Sequence, residues 1–417
     1  MLEQIEGSQA VAKAIALCRP EVICAYPITP QTHIVEGCAE LIRVGVIQNC
    51  EFINVESEFA ALSVAIGASA AGARTYTATA SQGLLFMAEA VYNAAGLGLP
   101  IVMTIGNRSI GAPINIWNDH SDSMALRDAG WIQLHAETNQ EAADLHIQAF
   151  KLAERLSAPV MVCMDGFILT HAYERVEIPD QAQVDAFLPP YQPRQILDPA
   201  DPYSIGAMVG PEAFMEVRYL AHDKLLQALS VIPEIQQEFK EVFGRESGGL
   251  FHSYRMEDAE TVVVTMGSLA GTVKDLVDEL RESGARVGVI TLCSYRPFPL
   301  DGLRYALRGA AKVVVLEKSL ALGFGGVLAA DVRMALQGVD THVHTVIAGL
   351  GGRPITRMSL ARMFARVERG EIKDPHFLDL DLDVVRHEID NQRGQITAGP
   401  IAENILREIG PRAAKLV

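Results

Sequence analysis

The sequence predicts an α/β protein: a doubly wound domain, then a smaller domain of the same class. Three observations carry this. From Glu21 to Asp165, short β-branched or apolar runs alternate with helical stretches, and the alternation resumes at Glu260. LPIVMTI (Leu99 to Ile105) and PVMVCMD (Pro159 to Asp165) are almost wholly apolar, as strands covered on both faces of a parallel sheet are. Between the halves, Pro189, Pro190, Pro193, Pro199 and Pro202 exclude a long helix or a central strand and mark a connector.

In chain order, Ser8 is expected to cap a helix running to Leu17. Glu21 to Thr29 reads as a strand and its turn. Pro30 restarts the chain into a helix, Thr32 to Ile42, with Ile34, Cys38, Leu41 and Ile42 on one face. Phe52 to Val55 is a short strand. Ser57 to Gly72 is a helix of small residues (Ala60, Ala61, Ala65, Gly67, Ala68), thin enough for close approach to a sheet, ligand or subunit. Thr75 to Ala80 is a strand, with Ser81-Gln82-Gly83 capping the next helix. Strands at Leu99 to Ile105, Ile132 to Ala136 and Pro159 to Asp165, with a helix over Asn139 to Ser157, complete the first unit. Val176 to Tyr203 is expected to be extended, and Pro211 to Phe243 one or two helices. TVVVTMG, ARVGVITLCSY, KVVVLEKS and His342 to Ile347 are the strands of the second unit, with helices between them. The stretch from about Arg369, with LDLDLDVV, reads as an extended tail. The boundaries are 1–180, 181–257, 258–366 and 367–417.

A chain of 417 residues is long enough for two or three domains with large cores. Its formal charge of −16 argues against a nucleic acid or an anionic membrane as partner. Cys18, Cys24, Cys38, Cys50, Cys163 and Cys293 form no C-x-x-C pair, so zinc ribbons, thioredoxin chemistry and ferredoxin-type cluster ligation are unsupported. Most lie in apolar runs and are expected to be buried and reduced. The N-terminal MLEQIEGSQAVAKAI lacks the basic region of a signal peptide, and no apolar run reaches the roughly 20 residues of a membrane span. A cytoplasmic location is expected.

GFGG (Gly323 to Gly326) follows a strand and precedes a helix, but a third dinucleotide-site glycine would fall on Leu328, so a tight turn is the better reading. GLGGR (Gly349 to Arg353) fails likewise, and neither a P-loop nor a G-x-S-x-G elbow exists. Asp119, His120 and Asp122 lack a second cluster and read as a hydrogen-bonding loop rather than a metal site. Thr29, Glu58 and Arg108 remain, each at the end of a strand, where open α/β sheets bind ligands. An arginine so placed calls for an anionic partner, from the protein or from a substrate. The alternatives are a capping threonine, a surface glutamate and a salt-bridged arginine.

The strings YPITP (Tyr26 to Pro30), ESE (Glu56 to Glu58), TATASQGL (Thr77 to Leu84) and NRSIGAPINIWNDHSD (Asn107 to Asp122) resemble the pyruvate:ferredoxin oxidoreductase (2-oxoacid:ferredoxin oxidoreductase) family. DGFILTH (Asp165 to His171), VTMGSLAGT (Val264 to Thr272), YRPFP (Tyr295 to Pro299) and GLGGRPIT (Gly349 to Thr356) follow in the family's order. The chain looks like the alpha subunit of a multi-subunit member. The resemblance implies a pyrimidine-type thiamine diphosphate-binding domain at 1–180 and an extended and helical linker at 181–257. It implies a transketolase C-terminal-like domain at 258–366 and a C-terminal extension beyond.

By the same resemblance, Glu58 matches the glutamate that hydrogen-bonds the aminopyrimidine ring, so that the exocyclic amine becomes the base that activates the cofactor. Thr29 and Arg108 match substrate contacts, Arg108 pairing with the 2-oxo acid carboxylate in a charged bond worth about 1.5–3 kcal/mol. The implied reaction is CoA-linked oxidative decarboxylation of a 2-oxo acid, pyruvate ahead, to an acyl-CoA and CO2, with electrons passing through iron–sulfur clusters to ferredoxin. The G-D-G…N signature for magnesium and diphosphate is missing, as is any cluster-binding cysteine set. A beta subunit is therefore expected to complete the thiamine site, and gamma and ferredoxin-like delta subunits to accompany it, with the clusters on partner subunits. Gly111, where a bulkier or more polar residue is common in the family, is either a backbone adjustment or room for an aromatic or branched 2-oxo acid such as phenylglyoxylate, with an NAD-linked enzyme as the alternative. A non-catalytic scaffold is the competing class, against which Thr29, Glu58 and Arg108 together argue.

Overall fold

Seven strands build the first sheet, in the order Ser294–Arg296, Ile132–His135, Val160–Asp165, Ile101–Asn107, Thr75–Thr79, Val22–Ala25 and Glu51–Asn54. All pairings are parallel except that of Ser294–Arg296 with Ile132–His135. The strand period of two distributes side chains to both faces. Val160, Val162 and Met164 join the core with helices Gly7–Leu17 and Asn139–Leu156, while Met161 and Cys163 join that with Glu58–Ala70 and Ala88–Leu97. The protein is described from a computed structural model covering residues 1–394 and 401–413.

The second sheet has six strands, ordered His376–Phe377, His342–Ile347, Lys312–Glu317, Thr261–Met266, Val287–Leu292 and Phe251–Tyr254. Only Phe251–Tyr254 runs antiparallel to its neighbour. Val262 and Val264 pack on one face, Val263 on the other. Both sheets are the α/β architecture expected.

Several local expectations are corrected. Ser8 does not cap its helix: Glu6 occupies that position, at the end of a strand Leu2–Glu6 paired with Tyr173–Glu177, and Ser8 Oγ donates instead to Thr170 O at 2.7 Å. Ser81 is likewise no cap but the first residue of helix Ser81–Phe86, after Ala80. The stretch from Val176 to Tyr203 is not wholly extended. Helix Gln181–Phe187 starts at a reciprocal cap, with Gln183 N on Asp180 Oδ1 at 2.8 Å and Asp180 N on Gln183 Oε1 at 3.2 Å. Phe214–Phe243 is one helix with Pro233 inside it.

The run 285–295 is two strands. Val287–Leu292 stays in the second sheet, and Ser294–Arg296 crosses to the first. The tail is not simply extended: His376–Phe377 pairs with His342–Ile347, and Leu382–Gly394 is a helix whose Asp383 and Val384 N–H groups donate to Asp381 Oδ1, each at 3.1 Å. That aspartate is a cap, the signal concealed in the alternating LDLDLD. Of the extension expected at 367–417, residues 395–400 and 414–417 lie outside the described residues.

The two sheets are also clamped by side chains. Lys318 Nζ and His120 Nε2, both buried, reach the buried Asp165 at 2.8 and 2.7 Å, and the half-buried Ser268 donates to it through its N–H at 3.1 Å. Burial alone would push the Asp165 carboxyl up, but Lys318 and His120 outweigh it and hold it well below the usual range. Farther along, His252 of the second sheet pairs with Glu141 of helix Asn139–Leu156 at 2.6 Å. Burial pulls the His252 pKa down, yet the Glu141 hydrogen bond and charge win and hold it above its ordinary 6.5. A raised histidine stabilises fully below its unfolded pKa and stops doing so as pH rises through the folded one. The melting temperature of His252→Gln should therefore fall furthest below the wild type at about pH 6 and approach it by about pH 9. A pH-independent difference would rule out the charged pair.

Candidate functional site

The carboxyl edge of the first sheet gathers the three residues expected there. Thr29 follows Val22–Ala25, Glu58 follows Glu51–Asn54, and Arg108 follows Ile101–Asn107 directly. Glu58 is the first residue of its helix, but Ser57 does the capping, its Oγ accepting from Ala60 N at 3.2 Å. The carboxylate of Glu58 is thereby released from local duty. The residue is 8% exposed, and its carboxylate has no hydrogen-bond or ion-pair partner among the described residues. A Cβ at Gly83 would lie 2.6 Å from both Glu58 Oε1 and Thr79 Oγ1. Glycine is required there for the carboxylate to rest on the start of helix Ser81–Phe86. Thr79 Oγ1 is itself buried without a partner.

Arg108 is 6% exposed and forms no ion pair among the described residues. Its Nη1 donates to Thr29 O at 2.9 Å and its Nε to Asn115 O at 3.0 Å. Burial lowers its pKa, and Asp122 only partly counters that. The carbonyls orient the guanidinium without neutralising it. Thr29 is exposed; its carbonyl is engaged by Arg108, and its hydroxyl makes no hydrogen bond among the described residues. The structure thus couples Thr29 to Arg108 directly and sets Glu58 on the same sheet edge.

Sequence reasoning passed over two contributors. The buried carboxylate of Asp122 accepts from Ser81 N at 2.9 Å, Arg108 N at 3.0 Å, Ser123 N at 2.8 Å and Asn107 Nδ2 at 2.8 Å. Burial raises its pKa to about 6 against the pull of those donors. Ser81 has φ 50, left-handed for a non-glycine and costing on the order of 1–3 kcal/mol, and the Asp122 bond helps hold it. Gln82 is the second: a Cβ at Gly111 would lie 2.5 Å from Gln82 Nε2, so the Gln82 amide borders the space that glycine leaves.

The rejected motifs are also explained. Asp119, His120 and Asp122 do not converge: Asp119 takes Ser109 Oγ at 2.6 Å and Gly351 N at 3.0 Å, while His120 faces Asp165. The helix after GFGG has its N-terminal Val327, Leu328 and Ala329 N–H groups on the Glu317 carboxylate at 2.9, 2.9 and 3.1 Å. The position a phosphate would take is filled by the protein's own anion. Five of the cysteines are buried and Cys50 is half-buried; all are free.

Fold and site together define a two-unit α/β subunit whose parallel sheet leaves a carboxylate and a guanidinium open at its carboxyl edge. The chain belongs to the pyruvate:ferredoxin oxidoreductase family. Residues 13–237 match "Pyruvate flavodoxin/ferredoxin oxidoreductase, thiamine diP-bdg" and residues 259–360 match "Pyruvate:ferredoxin oxidoreductase core domain II". Pyruvate synthase subunit PorA of Methanosarcina barkeri is 48% identical over 385 residues, 90% of this chain and 96% of that one. PorA of Thermotoga maritima is 43% identical, over 88% and 95%. Ketoisovalerate oxidoreductase subunit VorA of Pyrococcus abyssi is 41% identical, over 84% and 90%. In fold, the chain is similar to a 2-oxoglutarate:ferredoxin oxidoreductase from Magnetococcus marinus, solved with 2-oxoglutarate, coenzyme A and succinyl-CoA bound. The TM-score is 0.67 at 20% identity, covering 89% of this chain and 65% of that one. The chain is thus a subunit of a 2-oxoacid:ferredoxin oxidoreductase, with a thiamine diphosphate-binding domain first. Among the described residues no helix is long and apolar enough to cross a membrane.

Removing the Asp122 carboxylate takes their acceptor from the Ser81, Arg108 and Ser123 N–H groups and leaves Asn107 Nδ2 only its bond to Ser123 Oγ. Asp122→Ala should lower stability by about 3 kcal/mol or more, read as the shift of the urea-unfolding midpoint. A loss under about 1 kcal/mol would contradict its role as the common acceptor.

Proposed function

We propose that this chain is the alpha subunit that supplies the pyrimidine-facing half of a thiamine diphosphate site and the pocket for the substrate carboxylate. The reaction is CoA-linked oxidative decarboxylation of pyruvate, with ferredoxin as electron acceptor. One observation carries the reading: Glu58 and Arg108, both more than nine-tenths buried, have no ion-pair partner among the described residues. Such groups are costly unless a ligand completes them.

Thiamine diphosphate, when bound, supplies the electron sink for loss of CO2 from a 2-oxo acid. Glu58 fits its aminopyrimidine, because an unpartnered carboxylic group in a poorly solvated place can hold or pass a proton to a ring nitrogen. Arg108 has guanidinium donors beyond the two spent on carbonyls, and these orient the substrate carboxylate, with the Thr29 hydroxyl beside it. Magnesium and diphosphate are then held by a beta subunit, a reading supported by the lack of a G-D-G…N signature in this sequence. Phe59, Phe86 and Tyr92, exposed by 38%, 61% and 43%, form an apolar rim on the helices next to Glu58, which suits a subunit docked across the site. Iron–sulfur clusters belong to partner subunits, gamma and ferredoxin-like delta subunits complete the complex, and the assembly works in the cytoplasm.

Pyruvate is favoured by the PorA relatives, while VorA keeps a branched 2-oxo acid as the alternative. The nearness of Gln82 to Gly111 argues for a polar rather than an enlarged pocket wall.

Two substitutions test the assignments in the assembled complex. Glu58→Gln should reduce turnover by about a thousandfold or more while subunit composition stays intact, and near wild-type activity would sink the role given to it. Arg108→Ala should raise KM for pyruvate about 10- to 100-fold, whereas an unchanged KM would remove it from the substrate pocket.

A further inference from the structure

Three side chains from separate segments converge beside the turn that carries Thr29. Glu6 ends the strand Leu2–Glu6, His33 lies in the first turn of helix Thr32–Arg43, and His171 stands in the loop after Val160–Asp165. One donor atom from each lies within 4.8 Å of the others, the one such grouping of His, Cys, Asp and Glu among the described residues. His33 Nδ1 is 2.7 Å from Glu6 Oε1, and the two imidazole rings are 4.7 Å apart between centroids.

We propose that Glu6, His33 and His171 form a binding site for a borderline divalent transition-metal ion of the Zn2+ class. Two imidazoles and a carboxylate are a nitrogen-rich set that suits such ions and is poorly matched to Mg2+ or Ca2+. Around a tetrahedral ion with bonds of about 2.1 Å, donors stand about 3.4 Å apart. The spacings here, from 2.7 Å upward and all within 4.8 Å, bracket that value, so side-chain rotation closes the site.

The supporting structure is in place. Thr170 Oγ1 is 2.7 Å from His171 Nδ1 and fixes the ring, while Phe167 packs on it at 4.8 Å. Gly7 N and Ser8 N donate to Ala172 O and Thr170 O, both at 3.0 Å, tying the Glu6 segment to the His171 loop. Gln9 Nε2 donates to His33 O at 3.1 Å and ties in the third. The His33 side chain is 44% exposed and that of Glu6 13%, so the ion has a route in and room for a water as fourth ligand. A Cβ at Gly166 would lie 2.5 Å from Pro30 Cγ, so the loop bearing His171 rests on the Thr29–Pro30 turn. An ion here staples that turn to the N-terminal strand.

Zn2+ titrated into the chelator-dialysed complex is the test. We expect one more equivalent per chain, at micromolar affinity or tighter, than the His33→Ala/His171→Ala double variant takes up. His171→Ala alone should weaken that equivalent by about 100-fold or more, beyond what loss of a supporting residue costs. Equal uptake by the wild type and the double variant overturns the proposal. On the unaltered complex, which needs no variant to assemble, zinc K-edge absorption should show two imidazole ligands. A shell of oxygen alone would overturn it too.

Discussion

The buried carboxylate of Asp122 is the constraint on which the site depends. It ties together the ends of two neighbouring strands, because Ser81 N and Arg108 N, just past Thr75–Thr79 and Ile101–Asn107, both donate to it. Through Ser81 it supports the left-handed turn that brings Gly83 under Glu58, and through Arg108 it places the guanidinium beside Thr29 O. One carboxylate therefore positions both Glu58 and Arg108. Burial opposes its charge, and the four donors make the charged form tolerable.

A second buried carboxylate, Asp165, does for the two halves what Asp122 does for the loops. Lys318 and His120 bond to it from opposite sides of the junction, and Lys318 Nζ also reaches Asn118 Oδ1 at 2.8 Å. Ion pairs of this kind add little net stability over apolar packing, but a misdocked arrangement would strand a charge away from water. Their contribution is to the uniqueness of the docking. Because Asp165 ends the strand next to Ile101–Asn107, the junction lies close to the ligand edge.

Regular, periodic features were legible in the sequence, and features made by distant partners were not. Strands such as Ile101–Asn107 and Val160–Asp165 were evident as apolar runs, and Thr29, Glu58 and Arg108 were evident from their places at strand ends. Leu2–Glu6 was not, because its alternation is short and its partner, Tyr173–Glu177, lies far along the chain. Ser8 looked like a cap because its type suits one, but the antiparallel pairing delivers the chain so that Glu6 takes that position. Asp122 looked like one more polar loop residue, since only the fold shows which donors it gathers. The helix of the tail was concealed because a leucine–aspartate alternation has the period of a strand, and Asp381 overrides it locally as a cap.

The strand Ser294–Arg296, lent by the second half to the first, has a consequence for how the chain can be divided. It covers Ile132–His135, whose residues are all buried, and His135 N also donates to Cys293 O at 2.7 Å. Cutting the chain in the proline-rich connector would strip that strand away and leave a bare sheet edge ready to pair with another exposed strand. The first sheet therefore lacks its edge strand until the chain has been made as far as Ser294–Arg296.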